Sequence, residues 1–130
     1  MSSGLFLYKL KTMAAHNELG VWGERIAEAY LRRKGYVIVE RDWHSGHRDI
    51  DIIAMDGVTL VFVEVKTRRN RLFTDPEMAV DYRKIRNLRL SANHYVKFKR
   101  LDFDLRFDVV TVVGTPDGPT PEIDHIEDAF

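Results

Sequence analysis

Two short strings could carry chemistry in this chain of 130 residues: Asp49-Ile50-Asp51 and Glu64-Val65-Lys66. Each sets two polar groups two residues apart, the spacing that puts side chains on one face of a strand. The residues around them, Ile50, Ile52, Ile53, Val61, Phe62, Val63 and Val65, are apolar. A charge in such a run is costly to bury unless it is paired or metal-bound. Carboxylates are hard oxygen ligands that suit Mg²⁺ or Mn²⁺, with water and a substrate phosphate completing the shell. A lysine beside the ion could orient or activate a water and offset charge developing on phosphorus. The alternative is a plain ion pair of Glu64 or Asp49 with Lys66.

The two strings fall on a hairpin. Strands are expected over Arg48–Ala54 and Thr59–Lys66, and the intervening Asp56-Gly57 is a strong turn signal. With that dipeptide as the turn, Met55 pairs with Val58, Ile53 faces Leu60, Asp51 faces Phe62 and Asp49 faces Glu64. Asp49, Asp51 and Ile53 then share a face with Leu60, Phe62, Glu64 and Lys66. Asp51 and Glu64 become diagonal neighbours, about 7–8 Å apart, close enough for one divalent cation to bridge.

Other elements must frame this hairpin. Leu19, Trp22, Ile26 and Tyr30 recur at helical spacing, which predicts a helix over Asn17–Lys34 closed by Gly35. Gly20 and Gly23 inside it each cost about 1 kcal/mol relative to alanine, which points to close packing or a frayed first turn. Tyr36–Val39 is β-rich. Pro76 opens a second helix over roughly Glu77–Phe98, with a stripe of Ile85, Leu88, Ala92 and Tyr95. A last strand follows over Arg106–Val113. The order α-β-β-β-α-β predicts an α/β domain, a mixed sheet covered by helices on both sides. Residues 1–15 read as an N-terminal extension and 16–114 as one domain. Residues 115–130, with three prolines and five acids, read as a loosely ordered acidic tail.

The formal charge is zero overall but uneven: net −1 over residues 1–65, +8 over 66–100 and −7 over 101–130. The middle block is a candidate polyanion surface. Arg68, Arg69 and Arg71 would stand at the mouth of the site and could hold phosphates. Lys84, Arg86 and Arg89 could track a nucleic-acid backbone. In both groups a merely solvated basic face is the alternative, and the acidic tail could fold over the block. With no cysteine, disulfides and Cys-ligated zinc are excluded. The five histidines form no zinc-binding pair, Ser45-Gly46 reads as a turn, and no Gly-rich phosphate loop occurs. No apolar run approaches the roughly 20 residues of a membrane span, and the first twelve residues do not read as a signal peptide. A cytoplasmic protein is expected.

Asp51 followed by Glu64-Val65-Lys66 after an apolar strand resembles the PD-(D/E)xK nuclease core, the restriction-endonuclease-like fold. A wider set of strings is similar to the YraN family of small bacterial proteins. They are Gly20-Val21-Trp22-Gly23-Glu24, Asp49-Ile50-Asp51-Ile52-Ile53-Ala54, Phe62-Val63-Glu64-Val65-Lys66-Thr67-Arg68, Pro76-Glu77 with Lys84, and Arg106-Phe107-Asp108-Val109-Val110. The resemblance covers residues 16–113. It implies an αβββαβ core and a likeness to archaeal Holliday-junction resolvases. It further implies a Mg²⁺- or Mn²⁺-dependent endonuclease acting on DNA, branched or structured DNA included, working as a homodimer. By the same resemblance Glu24 joins Asp51, Glu64 and Lys66 as a catalytic residue. Asp51, Glu64, Glu24 and Asp49 would hold the metal. Arg48 stands where the family has glycine, and Phe73-Thr74 where it has Phe-Gly. The competing function is a non-catalytic nucleic-acid-binding or protein-interaction module on the same fold.

Overall fold

The computed structural model describes residues 3–46, 48–71 and 82–130, with side chains from residue 17 onward and that of residue 48 excepted. The expected helix start at Pro76-Glu77, the Phe73-Thr74 segment and His47 lie outside the described residues.

Helix α1 spans Ser3–Arg33. It begins well before the expected Asn17, because residues 5–15 hold good helix formers and neither proline nor glycine. It ends as expected at Gly35, whose φ is +94°. There the Tyr36 N–H donates to Leu31 O and the Gly35 N–H to Arg32 O, both at 3.0 Å, a Schellman closure.

Strands β1 (Val37–Ser45), β2 (Arg48–Asp56) and β3 (Thr59–Arg68) form an antiparallel meander. Helix α2 (Tyr82–Lys99) then carries the chain to β4 (Asp104–Val113), which lies parallel to β3. A fifth strand, β5 (Glu122–Ile126), pairs antiparallel with β4, so the sheet order is β1-β2-β3-β4-β5. The mixed α/β architecture and the α-β-β-β-α-β core agree with the sequence reading.

Two expectations are corrected. The acidic tail is not loosely ordered, for β5 belongs to it. Its alternation, with Ile123 and His125 turned inward between Glu122, Asp124 and Ile126, lets it complete the sheet edge. Secondly, the hairpin turn is Gly57-Val58, with Gly57 at φ +60°. Asp56 pairs with Thr59, Met55 with Leu60 and Ile53 with Phe62. This moves each partner of β2 by two residues and brings Asp51 level with Glu64 rather than Phe62. Asp56 prefers a ladder position, where it also receives Arg106 Nη1 at 2.9 Å.

Helices cover both faces. Ala27 and Leu31 of α1 pack on Ile52, Ala54, Val61, Val63, Val110 and Val112. Leu88, Ala92 and Tyr95 of α2 pack on Ile50, Ile53, Leu60 and Phe62. Ile50 and Ile52 thus sit in opposite cores, although a regular strand would place them together. The alternation breaks at Asp51. Across from it, between the pairs Arg41↔Ile52 and Trp43↔Ile50, Asp42 adopts φ +49°, a conformation that aspartate tolerates better than most residues. The sheet is kinked at this point, and the described β2–β3 ladder ends at Ile52↔Val63.

Candidate active site

Where β2 leaves β3, the middle of α1 and the first half of α2 line a cleft of about 830 Å³. Its walls include Leu19, Gly20 and Glu24 from α1, Ser45 and Asp49 from the β1–β2 end, and Asp51 from β2. Glu64, Val65 and Thr67 line it from β3, and Lys84, Asn87, Leu88 and Ser91 from α2.

Each acid is held differently. Asp51 no longer takes part in the ladder, so its Oδ2 accepts the free Val65 N–H at 2.8 Å. Burial pushes its carboxyl up to about 7, with the Glu64 charge adding to the rise and the Val65 bond opposing it. Glu24 is brought in by a close helix approach. A Cβ on Gly23 would stand 2.9 Å from Thr67 Cβ and nearer still to its branches, so only glycine fits there. Burial first, then a hydrogen bond with Asp42 and the charges of Asp51 and Glu64, push Glu24 up to about 8. Gly20, one helical turn before Glu24, has nothing within 4 Å of where a Cβ would be. Of the two readings for these glycines, close packing holds for Gly23, whereas Gly20 keeps the cleft wide.

Glu64 Oε1 receives two ammonium groups, Lys66 Nζ at 3.6 Å and Lys84 Nζ at 3.2 Å. Burial lowers the Lys66 amine below its usual value, Lys84 beside it adds to the effect, and Glu64 opposes it. Asp49 is exposed at the rim of the cleft. Among the described residues no three acids or histidines already stand as one metal shell. Asp51 and Glu64 nevertheless suit a hard divalent ion, which commonly takes one or two protein carboxylates and fills its shell with water and phosphate. Their mutual repulsion in a partly buried cleft is what a dication would relieve.

The basic candidates are held in different ways. Arg68 donates to its neighbour Thr67 O at 2.8 Å. Arg71 is bound by β5, through Glu122 Oε2 at 2.7 Å and Asp124 Oδ2 at 2.6 Å. Lys84 is inside the cleft mouth, Arg69 and Arg86 are exposed, and Arg89 lies over the Phe107 ring. Asp42 was not among the sequence candidates. A lone acid in a β-rich segment carries no spacing signal, and only the kink brings it to Glu24. Ser45, expected in a turn, instead ends β1 opposite Arg48, with the turn falling on Gly46, and its Oγ stands 3.0 Å from His94 Nε2 of α2.

A kinked mixed sheet with helices on both faces, and a carboxylate–lysine cleft at the split between two strands, defines the class of domain. The chain belongs to the family described as "Uncharacterised protein family UPF0102", which it matches over residues 23–112. It is 48% identical to a UPF0102 protein of Bacteroides thetaiotaomicron over 118 residues, 91% of this chain and 96% of that one. A UPF0102 protein of Porphyromonas gingivalis is also 48% identical, covering 91% of this chain and 87% of its own length. One from Syntrophomonas wolfei is 45% identical over 116 residues, 88% of this chain and 99% of that one.

Proposed function

We propose that this chain is a metal-dependent endonuclease of the PD-(D/E)xK type that hydrolyses phosphodiester bonds of branched or structured DNA. The observation that carries the reading is the convergence of Asp51, Glu64 and Glu24, from three different elements, in one cleft with Lys66 on Glu64. Asp51 and Glu64 would hold Mg²⁺ or Mn²⁺, with Glu24 and Asp49 facing the same space. A divalent ion bound there supplies Lewis acidity toward a phosphate oxygen and toward water.

The chain's own groups do the remaining work. The Val65 N–H fixes the Asp51 carboxylate. Burial eases loss of the Lys66 proton; as the neutral amine it would take a proton from the attacking water, and as the ammonium it would stand beside the charge that grows on phosphorus. Gly20 leaves room for the substrate backbone. One water is consumed, its oxygen bonds to phosphorus, and the bond from phosphorus to one sugar oxygen breaks. The products are a phosphomonoester and a free hydroxyl. Arg69 and Arg86 would hold flanking phosphates. A junction has two strands to cut, and a homodimer would supply two such clefts.

The test is a labelled panel of single strand, duplex, flap and four-way junction with Mg²⁺, Mn²⁺ or EDTA, beside Glu64→Ala/Lys66→Ala protein. Metal-dependent cutting by the wild type alone is the expected result. Binding without cutting on every substrate would favour the non-catalytic module.

A further inference from the structure

We propose that Lys84 is a displaceable cation, which neutralises Glu64 in the metal-free protein and turns to a substrate phosphate when a divalent ion takes that carboxylate. The inference rests on the metal-dependent reading and adds to it a role for α2. Lys84 and Lys66 both stand on the same oxygen, Glu64 Oε1, at 3.2 and 3.6 Å. A dication on the same carboxylate would repel both ammoniums at such distances, and the lysine freer to move would withdraw.

The two lysines are not equivalent. Lys66 springs from β3, two residues beyond Glu64, and its side chain is only 12% exposed. It is fixed by the strand and has little room to leave. Lys84 comes from the first turn of the described part of α2, and its side chain is 53% exposed. A half-exposed ion pair is weak, because water replaces much of what is lost. The long stem lets the ammonium swing along the cleft mouth while staying near the phosphate that the ion would bind. Lys84 also lines the cleft beside Asn87 and Ser91 on the same helix, so its path stays inside the site.

This role predicts a sign opposite to that of a plain phosphate clamp. Removing Lys84 should strengthen metal binding while weakening DNA binding. Mn²⁺ is titrated calorimetrically into wild type, Lys84→Gln, Lys84→Ala, Lys84→Arg and Asp51→Asn, each checked for an unchanged thermal transition. The two neutral variants are expected to bind Mn²⁺ about two- to fivefold more tightly than wild type, the weight of one partly exposed ion pair. Lys84→Arg, which keeps a cation on Glu64, should stay near wild type, and Asp51→Asn should lose the site. Binding to a four-way junction in Ca²⁺ should weaken in the neutral variants. Mn²⁺ affinity that depends on Asp51 but is indifferent to Lys84 would overturn the displacement and leave the metal-dependent reading standing. Absence of any Asp51-dependent Mn²⁺ binding would overturn both.

Discussion

Burial and like charge act together on the Asp51 and Glu24 carboxyls, and the metal-free protein bears the cost. In the unfolded chain the two titrate near 3.8 and 4.5, whereas in the fold they rise to about 7 and about 8. Between those limits the folded state binds more protons than the unfolded one, so stability falls as pH rises. Asp51→Asn keeps an acceptor for the Val65 N–H and removes the buried charge. At pH 8 it should stabilise the metal-free protein by about 2 kcal/mol and at pH 4 leave it nearly unchanged, as measured by urea unfolding. The same variant should show no metal-dependent cleavage. Mg²⁺ should raise the unfolding midpoint of the wild type more at pH 8 than at pH 5, since protons and metal compete for the same oxygens.

One helix–sheet contact, one open helix position and one edge strand frame the site. Gly23 lets α1 descend onto Thr67, and Glu24 arrives with it. Gly23→Ala should cost about 1–3 kcal/mol by overpacking, and Thr67→Ala in that background should recover only part, because the Thr67 Cβ itself is in the way. Gly20→Ala meets nothing, so it should stabilise the helix by about 0.5–1 kcal/mol while slowing cleavage. Urea unfolding and the junction assay, run side by side, separate the two glycines. At the other end of the sheet β5 is fastened by a buried network. Asp108, fully buried, accepts from Arg106 Nε at 2.9 Å, stands 2.7 Å from His125 Nε2 and accepts the Asp128 N–H at 3.1 Å. Removing residues 115–130 would take His125 and Asp128 from Asp108, and the Ala129 N–H and the Phe130 ring from Phe107. The truncated chain is therefore expected to unfold rather than to act as a freed enzyme, and circular dichroism would show it. Asp108→Ala in the full chain should cost about 1.5–3 kcal/mol, since it removes a buried charged acceptor shared by several donors while Arg106 keeps Asp56.

For the molecule as a whole, the two ends impose opposite pH dependences. Burial works against the Asp108 charge, but Arg106, His125 and the Asp128 N–H outweigh it and hold its carboxyl below the ordinary value. Its stabilisation is present above about pH 4 and lost as pH falls further. With Asp51 and Glu24 acting on the alkaline side, the metal-free protein should be most stable near pH 4–5. Charge is likewise divided. Arg69 and Arg86 face solvent, whereas Arg71 is held by Glu122 and Asp124. Arg69→Ala or Arg86→Ala should lower the salt slope of DNA binding by about one unit each. Arg71→Ala should change it little, and Glu122→Gln/Asp124→Asn should strengthen binding at low salt; fluorescence anisotropy across a salt series measures all four. A monodisperse monomer in solution scattering with junction DNA present would exclude the dimeric reading. No described helix is long and apolar enough to cross a membrane.

Local pattern determined much of this protein. The helical stripe of α1, the Gly35 cap, the apolar strands, the parallel return after α2 and the acids flanking an apolar hairpin are all set by spacings of a few residues. Period and turn chemistry act over that range and need no distant partner. The register of β2 on β3 was decided elsewhere, for Asp56 pairs with Arg106, fifty residues away, and draws the turn onto Gly57-Val58. The kink at Asp42 and Asp51, the meeting of Glu24 with them, and the two lysines on one Glu64 oxygen came only with the tertiary structure. Side chains on separate elements carry no mutual spacing, and only packing brings them within reach. The acidic tail became a strand for the same reason: its alternation was too short to declare itself until β4 offered an edge and Asp108 a buried charge to satisfy.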